Sequence, residues 1–126
     1  MQLHGLVGGS AEVIGPDATL LEASEHMIES GVGYLGVVNR RELVGILTEH
    51  DIVQAVAEDA DPAAATVAAW MSEAPDTVAC DVSVREAATW LIEAGYHHLP
   101  VMEGGELLGI VTVKDLLWAM LDSQPA

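Results

Sequence analysis

Leu43-Val44-Gly45-Ile46-Leu47-Thr48-Glu49-His50-Asp51-Ile52 returns 64 residues later as Leu107-Leu108-Gly109-Ile110-Val111-Thr112-Val113-Lys114-Asp115-Leu116. In both copies a short apolar run with a glycine near its start ends at a threonine, and an acid follows three residues on. Runs of this length and composition read as strands, and Thr-x-x-Asp is a helix start in which hydroxyl and carboxylate satisfy free backbone N–H groups. Each stretch is therefore a strand that passes directly into a helix.

The match extends outward from this core. Without a gap, 13–56 aligns with 77–120, and 15 of the 44 pairs are identical, where roughly one in ten is expected by chance. An internal duplication follows, so one repeat explains both. Thr19-Leu20-Leu21-Glu22 and Ser83-Val84-Arg85-Glu86 are two further capping boxes at the same offset. The stripes Leu20, Ala23, Ser24, Met27, Ile28 and Val84, Ala87, Ala88, Leu91, Ile92 give each following helix a core-facing side. Gly31 and Gly95 supply left-handed ends. The runs 34–38 and 98–102 then form hairpins with 43–47 and 107–111 across turns at 39–42 and 103–106. The predicted order in each repeat is β-α-β-β-α. Glu58-Asp59-Ala60-Asp61-Pro62 reads as a linker, which divides the chain into repeat one, 1–60, and repeat two, 61–126. Val67–Met71 restarts the cycle opposite Leu3–Val7.

The bulk properties bound the function. With 126 residues the chain holds one compact unit, or two half-size repeats sharing a core. Twenty acids stand against Arg40, Arg41, Arg85 and Lys114, a formal charge of −16. Such a surface repels phosphate backbones and anionic lipids, so neither nucleic acid nor a membrane is an expected partner. Cys80 is the single cysteine, which excludes an internal disulfide and a cysteine-rich zinc site. No leader-like segment or membrane-length apolar run is read, and a cytoplasmic address is expected.

The two Thr-x-x-Asp stretches closely resemble the signature of CBS domains, and 95–101 and 66–72 resemble two further segments of that family. The resemblance covers nearly the whole chain and is to the stand-alone CBS-pair, or Bateman, proteins. It implies an α+β fold, with two repeats related by a pseudo-two-fold axis and clefts between them. It also implies an adenosine-containing ligand: AMP, ADP, ATP, S-adenosylmethionine or NAD(H), with no cofactor required.

Thr48 with Asp51, and Thr112 with Asp115, cap helices whatever else they do. The resemblance adds that the acid accepts hydrogen bonds from ribose hydroxyls and that the threonine approaches phosphate or ribose. Two carboxylate oxygens suit a vicinal diol, and the adjoining helix N-terminus favours phosphate. The candidate ligand residues are His98, Leu99, Pro100, Thr112, Lys114 and Asp115 in repeat two, with Tyr34, Leu35, Thr48, His50 and Asp51 in repeat one. Family members often carry arginine just before the acid. Lys114 supplies a charge there and His50 mostly does not at neutral pH. Pro100 matches the family where Gly36 does not, so repeat two is the expected site.

His97 and His98 are adjacent on a strand and point to opposite faces, so no metal site is read from them. Cys80 has no basic neighbour and reads as a small buried residue. Nothing resembles a catalytic constellation, and no enzyme is expected. Leu116–Leu121 is apolar on every side and Trp90 lies off its helix stripe. These features ask for a partner on the outer face, and the resemblance implies a two-fold homodimer, against the alternative of a fully buried terminal helix. Two functions remain open. One is ligand sensing that regulates an unidentified protein; the other is a structural or protein-interaction dimer whose nucleotide sites have decayed.

Overall fold

The computed structural model describes residues 2–7 and 11–122. The chain divides into two compact units, Glu12–Pro75 and Met1–Ala11 with Asp76–Ala126. The division at 60/61 follows the duplication, whereas the compact units exchange their leading segments. Leu3 N–H donates to Val82 C=O at 2.9 Å, and 64 residues later Val67 N–H donates to Ala18 C=O at 2.8 Å. Both side chains are completely buried, Leu3 in the core of the second repeat and Val67 in that of the first.

The Glu12–Pro75 unit runs β1 (Val13–Ile14), α1 (Leu20–Ser30), β2 (Tyr34–Asn39), β3 (Glu42–Thr48), α2 (Glu49–Ala57), α3 (Val67–Trp70) and β4 (Ser72–Glu73). Its sheet order is β1-β2-β3-β4, with β1 parallel to β2 and the other pairs antiparallel. The other unit opens with a 3-10 turn at Leu3–Gly5. It continues with β5 (Val78–Ala79), α4 (Val84–Ala94), β6 (His98–Glu103), β7 (Glu106–Thr112) and α5 (Val113–Asp122), in a sheet of order β5-β6-β7. This is the α+β architecture expected, and even the hairpin irregularities recur, at Val37/Val38 and Val101/Met102.

Local chemistry accounts for the element ends. Thr19 and Glu22 form a reciprocal capping box. At Ser83 only the forward half is made, with Glu86 N–H donating to Ser83 Oγ at 3.1 Å. Gly31 and Gly95 end α1 and α4 at φ 70° and 74°, a region costly to residues with a Cβ. The repeated glycine of the signature strand serves close approach. A Cβ on Gly45 would lie 2.8 Å from Ser72 O, and one on Gly109 would lie 2.9 Å from Val7 Cβ. Those glycines let the exchanged segments cross the β3 and β7 strands.

Each unit has its own core. Leu20, Ala23, Met27, Leu35, Val37, Leu47, Ala55 and Val67 fill one. Leu3, Val84, Ala87, Leu91, Leu99, Val101, Val111, Leu116 and Ala119 fill the other. Ile28 and Ile92 do not join them, being 80% and 76% exposed. Each lies about 80° round the helix from its first stripe residue, Leu20 or Val84, at the margin of the buried face. α5 buries Leu116 and Ala119 but exposes Leu117, Trp118 and Leu121, so it is not a fully buried terminal helix. Trp90 is half-buried against its core and meets Tyr96 edge-on, with centroids 5.9 Å apart at 75°.

Candidate functional site

The hairpin register places a strand's first residue opposite the next strand's last. Tyr34 pairs with Thr48 and His98 with Thr112. Because Thr48 and Thr112 are also the caps of α2 and α5, each unit gathers three half-buried side chains at one helix start. They are Tyr34, Thr48 and Asp51 in one unit, and His98, Thr112 and Asp115 in the other.

Both caps are reciprocal. Thr48 N–H donates to Asp51 Oδ2 at 2.8 Å, and Asp51 N–H donates to Thr48 Oγ1 at 3.4 Å. Thr112 N–H donates to Asp115 Oδ2 at 2.9 Å, and Asp115 N–H donates to Thr112 Oγ1 at 3.2 Å. The bonds to each carboxylate fall on Oδ2, so among the described residues Oδ1 takes no part in the cap. Capping therefore leaves one acceptor of an oriented anion beside the helix N-terminus, suited to a hydroxyl donor.

The remaining candidates separate into surface and core. His50 and Lys114 are exposed, and Lys114 has no ion-pair partner among the described residues. Leu35, Leu99 and Pro100 are buried, the two leucines within the cores. Alternation along β2 and β6 turns the leucines inward, so they offer a ligand backbone rather than side chain.

The two helix starts differ in a way sequence reading missed. Glu49 N–H is already bonded to Gly33 C=O at 2.9 Å. The Glu49 carboxylate lies over Gly33, where a Cβ would come 2.9 Å from Oε1. An anion therefore sits at the start of α2, whereas α5 begins with Val113. Gly36 and Pro100 also differ in function. Gly36 N–H donates to Glu12 C=O at 3.0 Å, while proline has no N–H to give. Pairing of β1 begins at Val13↔Gly36, but pairing of β5 begins at Val78↔Val101, one position later in the repeat.

Other polar clusters lie elsewhere. Glu12 Oε2 is 2.8 Å from His26 Nε2, and Tyr96 OH donates to Asp76. That bond, with the Asp76 charge, raises the Tyr96 phenol above its ordinary range. Cys80 is half-buried, less enclosed than expected. Its thiol donates to Glu103 Oε2 at 3.4 Å, the oxygen His4 Nε2 approaches at 3.4 Å. Desolvation, then the Glu103 hydrogen bond and charge, pushes the thiol above its usual value. Among the described residues no three His, Cys, Asp or Glu side chains form a metal-binding group, and no helix is long and apolar enough to cross a membrane.

The CBS domain family model matches residues 10–58 and 67–122. An uncharacterised 17.7 kDa protein of Acidianus ambivalens is 36% identical over 113 residues, covering 87% of this chain and 67% of that protein. Two other curated relatives are longer still, the match spanning 54% of one and 17% of the other. A CBS domain protein from Pyrobaculum aerophilum, solved with AMP, superposes with a TM-score of 0.85 at 22% identity, covering 98% of this chain and 100% of that one. A CBS domain pair solved with 5-methylthioadenosine and S-adenosyl-L-methionine superposes at 0.88 and 21% identity, covering 98% of both chains.

Proposed function

The chain belongs to the CBS-domain family, and on that premise we propose that it is a non-enzymatic regulatory module that binds an adenosine-containing ligand. The observation that carries this reading is the duplicated cap, in which Asp51 and Asp115 are held through Oδ2 while, among the described residues, Oδ1 takes no part in the cap. Two similar folds solved with AMP or S-adenosyl-L-methionine support the ligand class.

Repeat two is the preferred site. Lys114 stands where repeat one has His50, and the first position of α5 is Val113 where α2 has Glu49. A phosphate at α2 would meet that carboxylate; at α5 it would meet backbone N–H groups and Lys114. The second reading is a protein-interaction dimer with decayed nucleotide sites, and the Glu49 carboxylate over Gly33 favours it for repeat one alone.

Dimerisation belongs to the same proposal. α5 exposes Leu117, Trp118 and Leu121, and Ile92 on α4 stands beside them in sequence pattern as a further exposed apolar side chain. Apolar surface of this kind is stabilised by a partner. Cytoplasmic placement agrees with a free cysteine.

A thermal-shift panel of AMP, ADP, ATP, S-adenosylmethionine and NAD(H), with magnesium varied, tests the ligand class. A ligand at 100 times its Kd adds about 2.7 kcal/mol and raises Tm by roughly 8 °C. No shift with any of them at millimolar concentration would leave the interaction-dimer reading in its place.

A further inference from the structure

Within the second repeat, α4 and α5 leave between them a groove of about 200 Å³ whose lining residues are apolar except for Arg85 and Thr89. Leu91 and Leu116, 1% and 2% exposed, belong to the core beneath and form its floor, while Ile92 and Leu117 stand exposed at its rim. Arg85 is the first and Ile92 the last residue that α4 contributes, a span of about 10 Å along the helix. Arg85 is exposed and has no ion-pair partner among the described residues, in a chain where four cations stand against twenty acids. Thr89 Oγ1 donates its proton to Arg85 C=O at 3.0 Å, which leaves the guanidinium as the polar group the groove can offer an anion.

The duplication supplies a contrast. At the matching positions of repeat one, Arg85 is replaced by Leu21, and the lining residues Thr89 and Val113 by Glu25 and Glu49. An anion would meet two carboxylates there and a guanidinium here. A guanidinium binds a carboxylate through two parallel N–H groups, and the apolar length beyond it suits an alkyl chain. An apolar cavity of about 150 Å³ takes benzene, so one of about 200 Å³ takes roughly eight carbons. We propose that the α4–α5 groove binds a free medium-chain alkyl carboxylate, its head on Arg85 and its chain running toward Ile92. None of the lining residues is a candidate ligand residue of the adenosine reading, and the site does not rest on it. Ile92 and Leu117 also belong to the face that the dimer reading covers, so a second copy of the chain is the competing occupant.

Titration calorimetry of the full chain with octanoate, hexanoate and octylammonium tests the site. Octanoate should bind once per chain, tighter than hexanoate by about four-fold for each added methylene, roughly 15-fold in all. Octylammonium has the same chain and is attracted by the net charge of −16, yet should not saturate a site built around Arg85. Octylammonium binding as tightly as octanoate would show unselective uptake on apolar surface and overturn the proposal. Arg85→Gln should weaken octanoate on the order of ten-fold. Thr89→Glu sets the acid of repeat one four residues from Arg85, where it pairs with the guanidinium and repels the ligand, and should weaken octanoate at least as much. Both positions are exposed, and Tm measured beside each titration separates lost binding from lost fold. Full octanoate affinity in both variants overturns the proposal. So does the absence of saturable octanoate binding, and together with a dimeric mass by light scattering that result gives the groove to a second copy of the chain.

Discussion

Replacing Asp115 separately by alanine and asparagine distinguishes helix capping from ligand binding. Asp115 Oδ2 accepts from Thr112 N–H at 2.9 Å, while the return bond to Thr112 Oγ1 uses the Asp115 backbone and survives either change. Alanine thus removes one charge-assisted bond and a negative charge from the first turn of α5. Together these are worth about 1–2 kcal/mol, or roughly 3–8 °C in Tm. Asparagine keeps an oxygen for Thr112 N–H and loses chiefly the charge, about 0.3–1 kcal/mol. For ligand the order of severity changes. The single asparagine oxygen is committed to the cap, so both variants lose the second anionic acceptor, worth about 1.5–3 kcal/mol, and bind AMP roughly 10- to 100-fold more weakly. Differential scanning without ligand and titration calorimetry with AMP measure the two effects independently. Asp51→Ala should destabilise by a similar amount and weaken AMP much less. Full AMP affinity in both Asp115 variants, despite their lower Tm, would show that Asp115 is a cap and nothing more. Equal or greater weakening by Asp51→Ala would show that repeat one is the binding repeat.

Trp118→Glu places a charge on the exposed apolar face of α5 and should shift the mass by light scattering from dimer toward monomer; an unchanged dimer would move the interface elsewhere. Arg40 and Arg41 occupy the hairpin tip at φ 50° and 72°, where repeat two has Gly104 and Gly105 at 58° and 85°. Arg41→Gly should therefore stabilise by about 0.5–1 kcal/mol, read as a higher Tm, and a lower Tm refutes the strain argument. The Cys80 thiol is raised by desolvation and by Glu103, so less of it is thiolate at a given pH. Its alkylation rate should rise only at higher pH than for an unperturbed thiol, and Glu103→Gln should move that profile back toward lower pH; no movement would remove Glu103 as a cause.

Legibility followed the range of the interactions. The caps at Thr19, Thr48 and Thr112, the left-handed ends at Gly31 and Gly95 and the hairpin turns depend on residues within a few positions of one another, and the duplication presented most of them twice. The exchange of Leu3 and Val67 between units is long-range, and the same sequence pattern suits either arrangement. Ile28 and Ile92 fit the helical period yet lie outside the core, because periodicity gives a direction and not the width of the buried face. At the site, Thr48, Asp51, Thr112 and Asp115 were legible because their spacing is local. The side chains of Leu35 and Leu99 turn inward with their strands, and which group of a strand residue faces outward is set by register, not by residue type. Glu49 escaped notice because its position over the α2 start depends on the space at Gly33, a contact between residues 16 apart in sequence.

Titration calorimetry of the unmodified chain with AMP tests the central claim most directly. The account predicts saturable binding with one stronger site per chain, weakened when Asp115 is replaced and largely retained when Asp51 is replaced. Absence of saturable binding for AMP and for every other adenosine ligand of the panel would contradict it.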